Sequence, residues 1–330
     1  VDIAIQSSHC ASYRVAVIIP CYNEELTIAS TVAGFREALP AAAFYVCDNN
    51  STDRTAQCAS ESGAVVIVET RQGKGHAMRR LFADVDADVY ILVDGDATYD
   101  PGAAPAMVER MITDNLDFFN GARVTELQGA YRSGHRFGNR MLTSLVRCFF
   151  GRQFSDMLSG YKVFSRRFVK SFPAMSRGFE IETELTVHAL SLRMPCAEMP
   201  TAYQERPVGS FSKLRTYRDG WRILRLIANL VRNERPLMFF GIAGAVLEII
   251  AFVLSIPLFY TYVETGFVPR LPTAVLIVGL ALMGMLSVFS GLILDMSSTG
   301  RHEMKRLAYL AIPPIRSLMP AKSGERSAAQ

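Results

Sequence analysis

No two of the six cysteines (Cys10, Cys21, Cys47, Cys58, Cys148 and Cys196) stand in CxxC spacing. That argues against zinc ribbons and thioredoxin-like redox sites and favours a reduced, cytosolic setting. Charge is sparse: a fifth of the 330 residues are charged, half are hydrophobic, and mean hydropathy is +0.18. This composition excludes a disordered chain, a collagen-like chain and a small disulfide scaffold, and it points toward a membrane. No zinc-finger spacing or aromatic-interleaved basic patch supports nucleic-acid binding. The first dozen residues lack the apolar core of a signal peptide, so the N-terminal part is expected to stay in the cytosol. The length suits two ordinary domains, or one large domain with an appendage.

What is present is unevenly distributed. Residues 1–204 have a net charge of −3, whereas residues 205–330 have +7, and the apolar runs lie in that basic part. The pattern suits an anionic membrane surface. Leu237–Val263 contains one charge, Glu248, and Leu271–Leu294 contains none. Each exceeds the ~20 residues that cross ~30 Å of hydrocarbon. Only Glu264–Arg270 separates them, which predicts a transmembrane hairpin over 236–296. Lys213, Arg215, Arg218, Arg222, Arg225, Arg232 and Arg235 precede the first span, and Arg301, Lys305 and Arg306 follow the second. Both termini are therefore expected on the cytoplasmic side. Across 213–235, Leu214, Tyr217, Trp221, Leu224, Ala228 and Val231 recur at helical steps, with arginines on another face. This reads as a basic amphipathic helix in the membrane interface, and residues 297–330 as a cytosolic tail. Glu248 is expected to make a contact inside the hairpin or at an oligomer interface, with lipid passage as the alternative.

Residues 1–212 read as α/β. Arg14–Pro20 is a β-branched apolar run typical of a buried parallel strand. A helix over Glu25–Leu39, a strand near Phe44–Cys47, a helix capped by Ser51–Asp53 and a strand at Ala64–Val68 follow. A helix over Gly73–Asp84 and a strand at Val89–Val93 complete the run. Alternation of this kind predicts a mostly parallel, Rossmann-like sheet flanked by helices, with ligands beyond the carboxyl ends of the strands. Polar clusters occupy those ends: Pro20–Glu25, Asp48–Asp53, and Asp94-Gly95-Asp96. Two carboxylates separated by glycine after a buried strand can both reach one hard divalent cation, Mg²⁺ or Mn²⁺.

These motifs, IIPCYNEE (Ile18–Glu25), DNNSTD (Asp48–Asp53), GKGHAMRRLF (Gly73–Phe82) and DGDATYDP (Asp94–Pro101), resemble those of the family 2 glycosyltransferases of the GT-A fold. SDMLSGY (Ser155–Tyr161), FEIETEL (Phe179–Leu185), ERPVGSFSKL (Glu205–Leu214) and the hairpin look most like the polyprenyl-phosphate glycosyltransferases of the dolichyl-phosphate-mannose-synthase type. The resemblance implies a nucleotide-sugar pocket lined by Pro20, Tyr22, Glu24, Asp48 and Asp94, with metal ligands Asp94 and Asp96. It places Lys74 near the donor, or on the surface opening a helix. Arg123, Arg136, Arg206 and Lys213 would hold the acceptor phosphate, with Asp156 positioning on that side. Glu180, Glu182 and Glu184 divide between site and helix face, and periodicity alone does not assign them. Relatives often carry Gln where this chain has Thr98, a weaker ligand. The chain has Asn49-Asn50 where Asp-Gly is commoner, which leaves uracil and guanine open.

The implied reaction is inverting transfer of one sugar from a nucleotide sugar, UDP-linked in preference to GDP-mannose, to a polyprenyl phosphate. An alcohol acceptor needs a general base, which many relatives supply from a Glu-Asp or Thr-Glu-Asp element that is absent here. A lipid phosphate, with a second pKa of ~6, is already an anion. The alternatives are a processive polysaccharide synthase or an inert GT-A binding module. The first lacks its Gln-x-x-Arg-Trp element, since the one tryptophan is Trp221. The intact Asp94/Asp96 pair argues against the second.

Overall fold

The uninterrupted apolar stretch Val15–Cys21 forms strand β1, and such a strand is stable only where both its faces are covered. The computed structural model describes residues 13–124, 144, 153–204, 206–207, 216–268 and 270–318. Among them, β1 is followed by α1 (Ile28–Ala38), β2 (Ala43–Asp48), α2 (Thr55–Glu61), β3 (Val65–Val68), α3 (Lys74–Asp84) and β4 (Val89–Leu92). Then come α4 (Ala104–Thr113), β5 (Phe118–Val124), β6 (Lys162–Ser165), α5 (Arg166–Ser171), α6 (Ile181–Ser191) and β7 (Cys196–Ala202). Helix α1 shows why it docks: Ile28, Thr31, Val32 and Phe35 are its buried residues, at one helical face.

The strands form a sheet of order β3-β2-β1-β4-β6-β5-β7. Every pairing is parallel except those of β6, which runs antiparallel to both β4 and β5. The sheet is thus mostly parallel, as expected, with one reversed strand inserted. Cys21 pairs with Asp48 and Ile18 with Leu92, so β1, β2 and β4 present their carboxyl ends together. The strand order reverses at β1, the place where α/β sheets bind ligands.

The chain divides into two compact units, one drawn from Val1–Leu224 and Lys305–Gln330, the other from Arg225–Met304. Helix α7 (Thr216–Glu234) leads into α8 (Pro236–Thr265) and α9 (Leu271–Leu310). Among the described residues of α7, Ile223, Ile227 and Val231 are buried, and Trp221 and Ala228 are exposed. Helices α8 and α9 are long and apolar enough to cross a membrane by length and composition. They approach closely at small residues: a Cβ on Gly244 would lie 2.8 Å from Gly284 O, and one on Gly284 2.7 Å from Glu248 Oε1. Ser287 Oγ donates to Phe240 O at 2.9 Å. Gly266, with φ of 70°, ends α8 in the left-handed conformation that glycine adopts without penalty.

Residues 297–310 continue helix α9 beyond the end expected at Leu294. In the first unit, Tyr309 Oη donates to Asp117 Oδ2 at 2.6 Å and Ile315 enters the core. Asp117, at the amino end of β5, also accepts from Ser165 Oγ at 2.7 Å and pairs with Arg167. Residues 305–318 of that stretch belong to the globular unit.

Candidate active site

The loops after β1 and β2 are sewn together by their own polar side chains. Asn49 N donates to Cys21 O at 2.8 Å, Glu24 N to Thr55 Oγ1 at 2.8 Å, and Thr52 N to Asn23 Oδ1 at 2.8 Å. Asn23 and Asn50 sit in the left-handed region, which asparagine tolerates. Asn49 is buried because its side chain fastens the next loop, donating to Glu69 O and Arg71 O and accepting from Gly73 N at 2.6 Å. Asp48 is also buried, and its Oδ1 has no hydrogen-bond partner among the described residues. A buried, unmatched acceptor is costly unless a ligand matches it. Pro20 and Tyr22, both half-buried, flank Cys21, the β1 residue in register with Asp48.

After β4, Thr27 Oγ1 donates to Gly95 O at 2.7 Å, fixing the turn between Asp94 and Asp96. Thr98 donates through Oγ1 to Asp96 Oδ1 at 2.6 Å, so it orients this carboxylate. Arg206 Nη2 lies 2.5 Å from Asp96 Oδ2, and Nη1 lies 4.0 Å from Glu24 Oε1. Burial and the nearby Asp94 raise the Asp96 carboxyl above the usual carboxylate range, against the pull of Arg206. Asp94 packs on Gly160, where a Cβ would lie 2.3 Å from Asp94 Oδ2.

Asp94 also meets Lys74. The buried ammonium bridges Asp94 Oδ1 and Glu182 Oε1, each at 2.5 Å. Burial lowers its pKa, but the two carboxylates more than compensate and hold it above the ordinary lysine range. The glycines flanking Lys74 make this possible. A Cβ on Gly73 would lie 2.2 Å from Arg177 O, and one on Gly75 2.2 Å from Ser176 O. Glu184 holds that opposing segment through Met175 N and Ser176 N, at 3.0 and 2.8 Å. Glu180 accepts from Gly178 N at 3.1 Å. The three glutamates thus separate into a partner for Lys74, a loop anchor and a loop cap.

On the β5 side, Arg123 forms a two-pronged pair with Asp156: Nε to Oδ2 at 2.7 Å and Nη2 to Oδ1 at 2.9 Å. Its guanidinium lies 5.5 Å from the centre of the Tyr203 ring. Glu198 accepts from Ser155 N and Ser155 Oγ at 2.8 and 2.7 Å, and from Asn120 Nδ2 at 2.7 Å. Gly160 N donates to Tyr99 Oη at 2.7 Å. Of the residues expected at the acceptor phosphate, Arg123 is placed with Asp156 and Arg206 with Asp96. Arg136 and Lys213 lie outside the described residues. Sequence reasoning missed Gly160, Glu198, Asn120 and Tyr99. Gly160 and Tyr99 carried a signal, lying inside SDMLSGY and DGDATYDP.

A metal is tested by its donor set. Asp94 and Asp96 supply hard oxygens that already attract cationic side chains, and no cluster of three or more metal-ligating side chains occurs among the described residues. The pair fits a divalent ion whose remaining ligands come from a bound diphosphate.

Residues 16–172 match the family model described as Glycosyl transferase family 2. Glycosyltransferase AglJ of Haloferax volcanii is 31% identical over 299 residues, covering 90% of this chain and 98% of the relative. The dolichyl-phosphate hexose transferase of the same organism is 28% identical over 220 residues, covering 67% and 95%. Among solved structures, glucosyl-3-phosphoglycerate synthase from Mycobacterium tuberculosis superposes with a TM-score of 0.56 at 22% identity, covering 69% of this chain and 82% of that one.

Proposed function

The chain belongs to glycosyl transferase family 2, and from that premise we propose that it moves a single sugar from a nucleotide sugar to a polyprenyl phosphate at a membrane surface. The observation that carries the acceptor class is the state of the carboxylates. Asp156 is neutralised by Arg123, Glu182 by Lys74, and Glu198 is saturated by donors from Ser155 and Asn120. Carboxylates engaged in this way are poor general bases, so an alcohol acceptor would find none among them. A phosphate monoester needs none. Its ionised oxygen attacks the anomeric carbon, the bond from that carbon to the diphosphate oxygen breaks, and the electron pair leaves with the nucleoside diphosphate. The sugar inverts, and no proton has to be removed.

Residue roles follow from chemistry. Asp48 offers its unmatched oxygen to the nucleoside, with Pro20, Tyr22 and Glu24 beside it, and UDP is preferred to GDP. Asp94 and Asp96 would hold Mg²⁺ or Mn²⁺, which neutralises the charge developing on the diphosphate. The Mycobacterium tuberculosis synthase has been crystallised with Mn²⁺ and UDP-glucose, which supports this reading of the shared fold. Lys74 holds Asp94 in place, so its role toward the donor is indirect. Arg123 and Arg206 supply positive charge toward the acceptor, and Asp156 aims Arg123. The Haloferax relative named as a dolichyl-phosphate hexose transferase supports the lipid acceptor. Helices α8 and α9 would form the membrane hairpin, with α7 at the interface and the globular unit in the cytoplasm.

The test is incubation of the full chain in membranes with polyprenyl phosphate, Mn²⁺ and a panel of nucleotide sugars. One nucleotide sugar should yield a lipid-phosphate-linked sugar. Asp96→Asn should abolish that product, because it removes a charged ligand beside the diphosphate. Transfer to an alcohol acceptor instead, or full turnover by D96N in saturating Mn²⁺, would overturn the reading.

A further inference from the structure

Lys162 lies on the central strand β6 with no solvent exposure, where a strand of this kind ordinarily carries an apolar residue. Its ammonium donates to Asn120 Oδ1 at 2.7 Å and to Met157 O at 3.3 Å, both neutral oxygens, and lies 5.4 Å from the centre of the Phe118 ring. A buried amine with no ion-pair partner among the described residues destabilises the fold, so its presence calls for a function.

Its partners supply one. Asn120 turns its amide from Lys162 to Asp156 O and Glu198 Oε1, both at 2.7 Å. Glu198 in turn holds Ser155 through backbone and hydroxyl. The turn Ser155–Met157 is thus gripped from both ends by groups that converge on Lys162, and it carries the Asp156 carboxylate that fixes Arg123. Further along the same segment, Gly160 supports Asp94.

We propose that Lys162 is a positioning residue for the acceptor side of the site: through Asn120 and the Ser155–Met157 turn it sets the Asp156–Arg123 pair, and its charge strengthens the hold on the acceptor's phosphate. The inference rests on the acceptor reading above. Burial brings the Lys162 ammonium down to about 8, with Glu182 on α6, Asp156 on the turn and Glu198 on β7 opposing that fall and Arg123 on β5 adding to it. The amine retains two N–H donors when neutral, so the turn keeps its hydrogen bonds as pH rises while the site loses one positive charge.

Two measurements decide it. The first is transfer at saturating donor, with the lipid phosphate varied from pH 7 to 9.5, beside nucleotide affinity by calorimetry. In the wild type the acceptor KM should rise about tenfold through pH 8, while kcat and nucleotide affinity move by less than about twofold. Lys162→Arg, which stays charged, should keep the low KM throughout, and Lys162→Met should show the high KM at every pH. A K162M enzyme with the wild-type acceptor KM, or a limb near pH 8 that survives in both variants, overturns the charge role. The second is hydrogen exchange over 153–160 in wild type and K162M, which needs no acceptor. Faster exchange in K162M confined to that segment supports the positioning, and unchanged exchange overturns it. Should the wild type transfer to no polyprenyl phosphate, the acceptor reading falls, and hydrogen exchange still decides whether Lys162 positions the turn.

Discussion

Replacing Gly160 by alanine is a small change with a large expected effect on chemistry. An ideal Cβ there would lie 2.3 Å from Asp94 Oδ2 and 2.8 Å from its Cγ. Ordinary contact begins near ~3.5 Å, so the carboxylate must retreat by about 1 Å. It is not free to do so, since Lys74 holds Oδ1 at 2.5 Å and is itself tied to Glu182. Gly160 is not among the glycines with positive φ, so alanine adds no backbone strain and acts only by displacing Asp94. A displacement of ~1 Å at a reacting centre costs about a hundredfold in rate. Overpacking costs about 1–3 kcal/mol of stability, which leaves the protein folded. The assay pairs transfer rates with Mn²⁺ affinity measured by electron paramagnetic resonance in the presence of nucleoside diphosphate. We expect both to fall in G160A while the thermal transition shifts only modestly. Wild-type rates together with wild-type Mn²⁺ affinity would refute the link between Gly160, Asp94 and the metal.

Other outcomes follow from the same geometry. Tyr309→Phe removes the hydroxyl donated to Asp117 and should lower stability by about 1–2 kcal/mol, whereas Asp117→Ala strands Arg167 and should lower it by about 3–5 kcal/mol, both read by denaturant melts. Lys162 titrates near 8 folded and near 10.5 unfolded, so the unfolded chain holds more protons between those values; stability relative to K162M should rise with pH across that window, by on the order of 3 kcal/mol, and a flat difference would contradict the burial argument. A cysteine placed within Glu264–Arg270 should label only from the non-cytoplasmic side, and labelling from the cytoplasm would overturn the hairpin.

Much of the first half was legible because its signals are local. The apolar run of β1, the polar loops after β1, β2 and β4, and the Asp94–Asp96 spacing all declare themselves within a few residues. What eluded sequence reasoning depends on partners far along the chain. Strand β6 slots between β4 and β5, although over 30 residues separate β5 from β6 in sequence, and no local period announces that pairing. Gly73-Lys74-Gly75 resembles a donor loop, yet its glycines are required by the backbone of Ser176 and Arg177, about a hundred residues later. Glu180, Glu182 and Glu184 share one spacing and differ only in what packs against them.

The return of residues 305–318 to the globular unit fixes an order of events in the life of the chain. The 80 residues of Arg225–Met304 are an insertion within the globular unit's sequence, so that unit is not complete when Leu224 leaves the ribosome. Asp117 waits for Tyr309, and the core waits for Ile315, until both apolar helices have been made. At ~5–20 residues per second that interval is on the order of ten seconds. Throughout it the amino edge of β5 carries a buried-type carboxylate matched by Arg167 and Ser165 but not yet by Tyr309. Synthesis of the apolar helices therefore precedes completion of the globular unit, and the full globular fold is reserved for chains in which both helices have already been made.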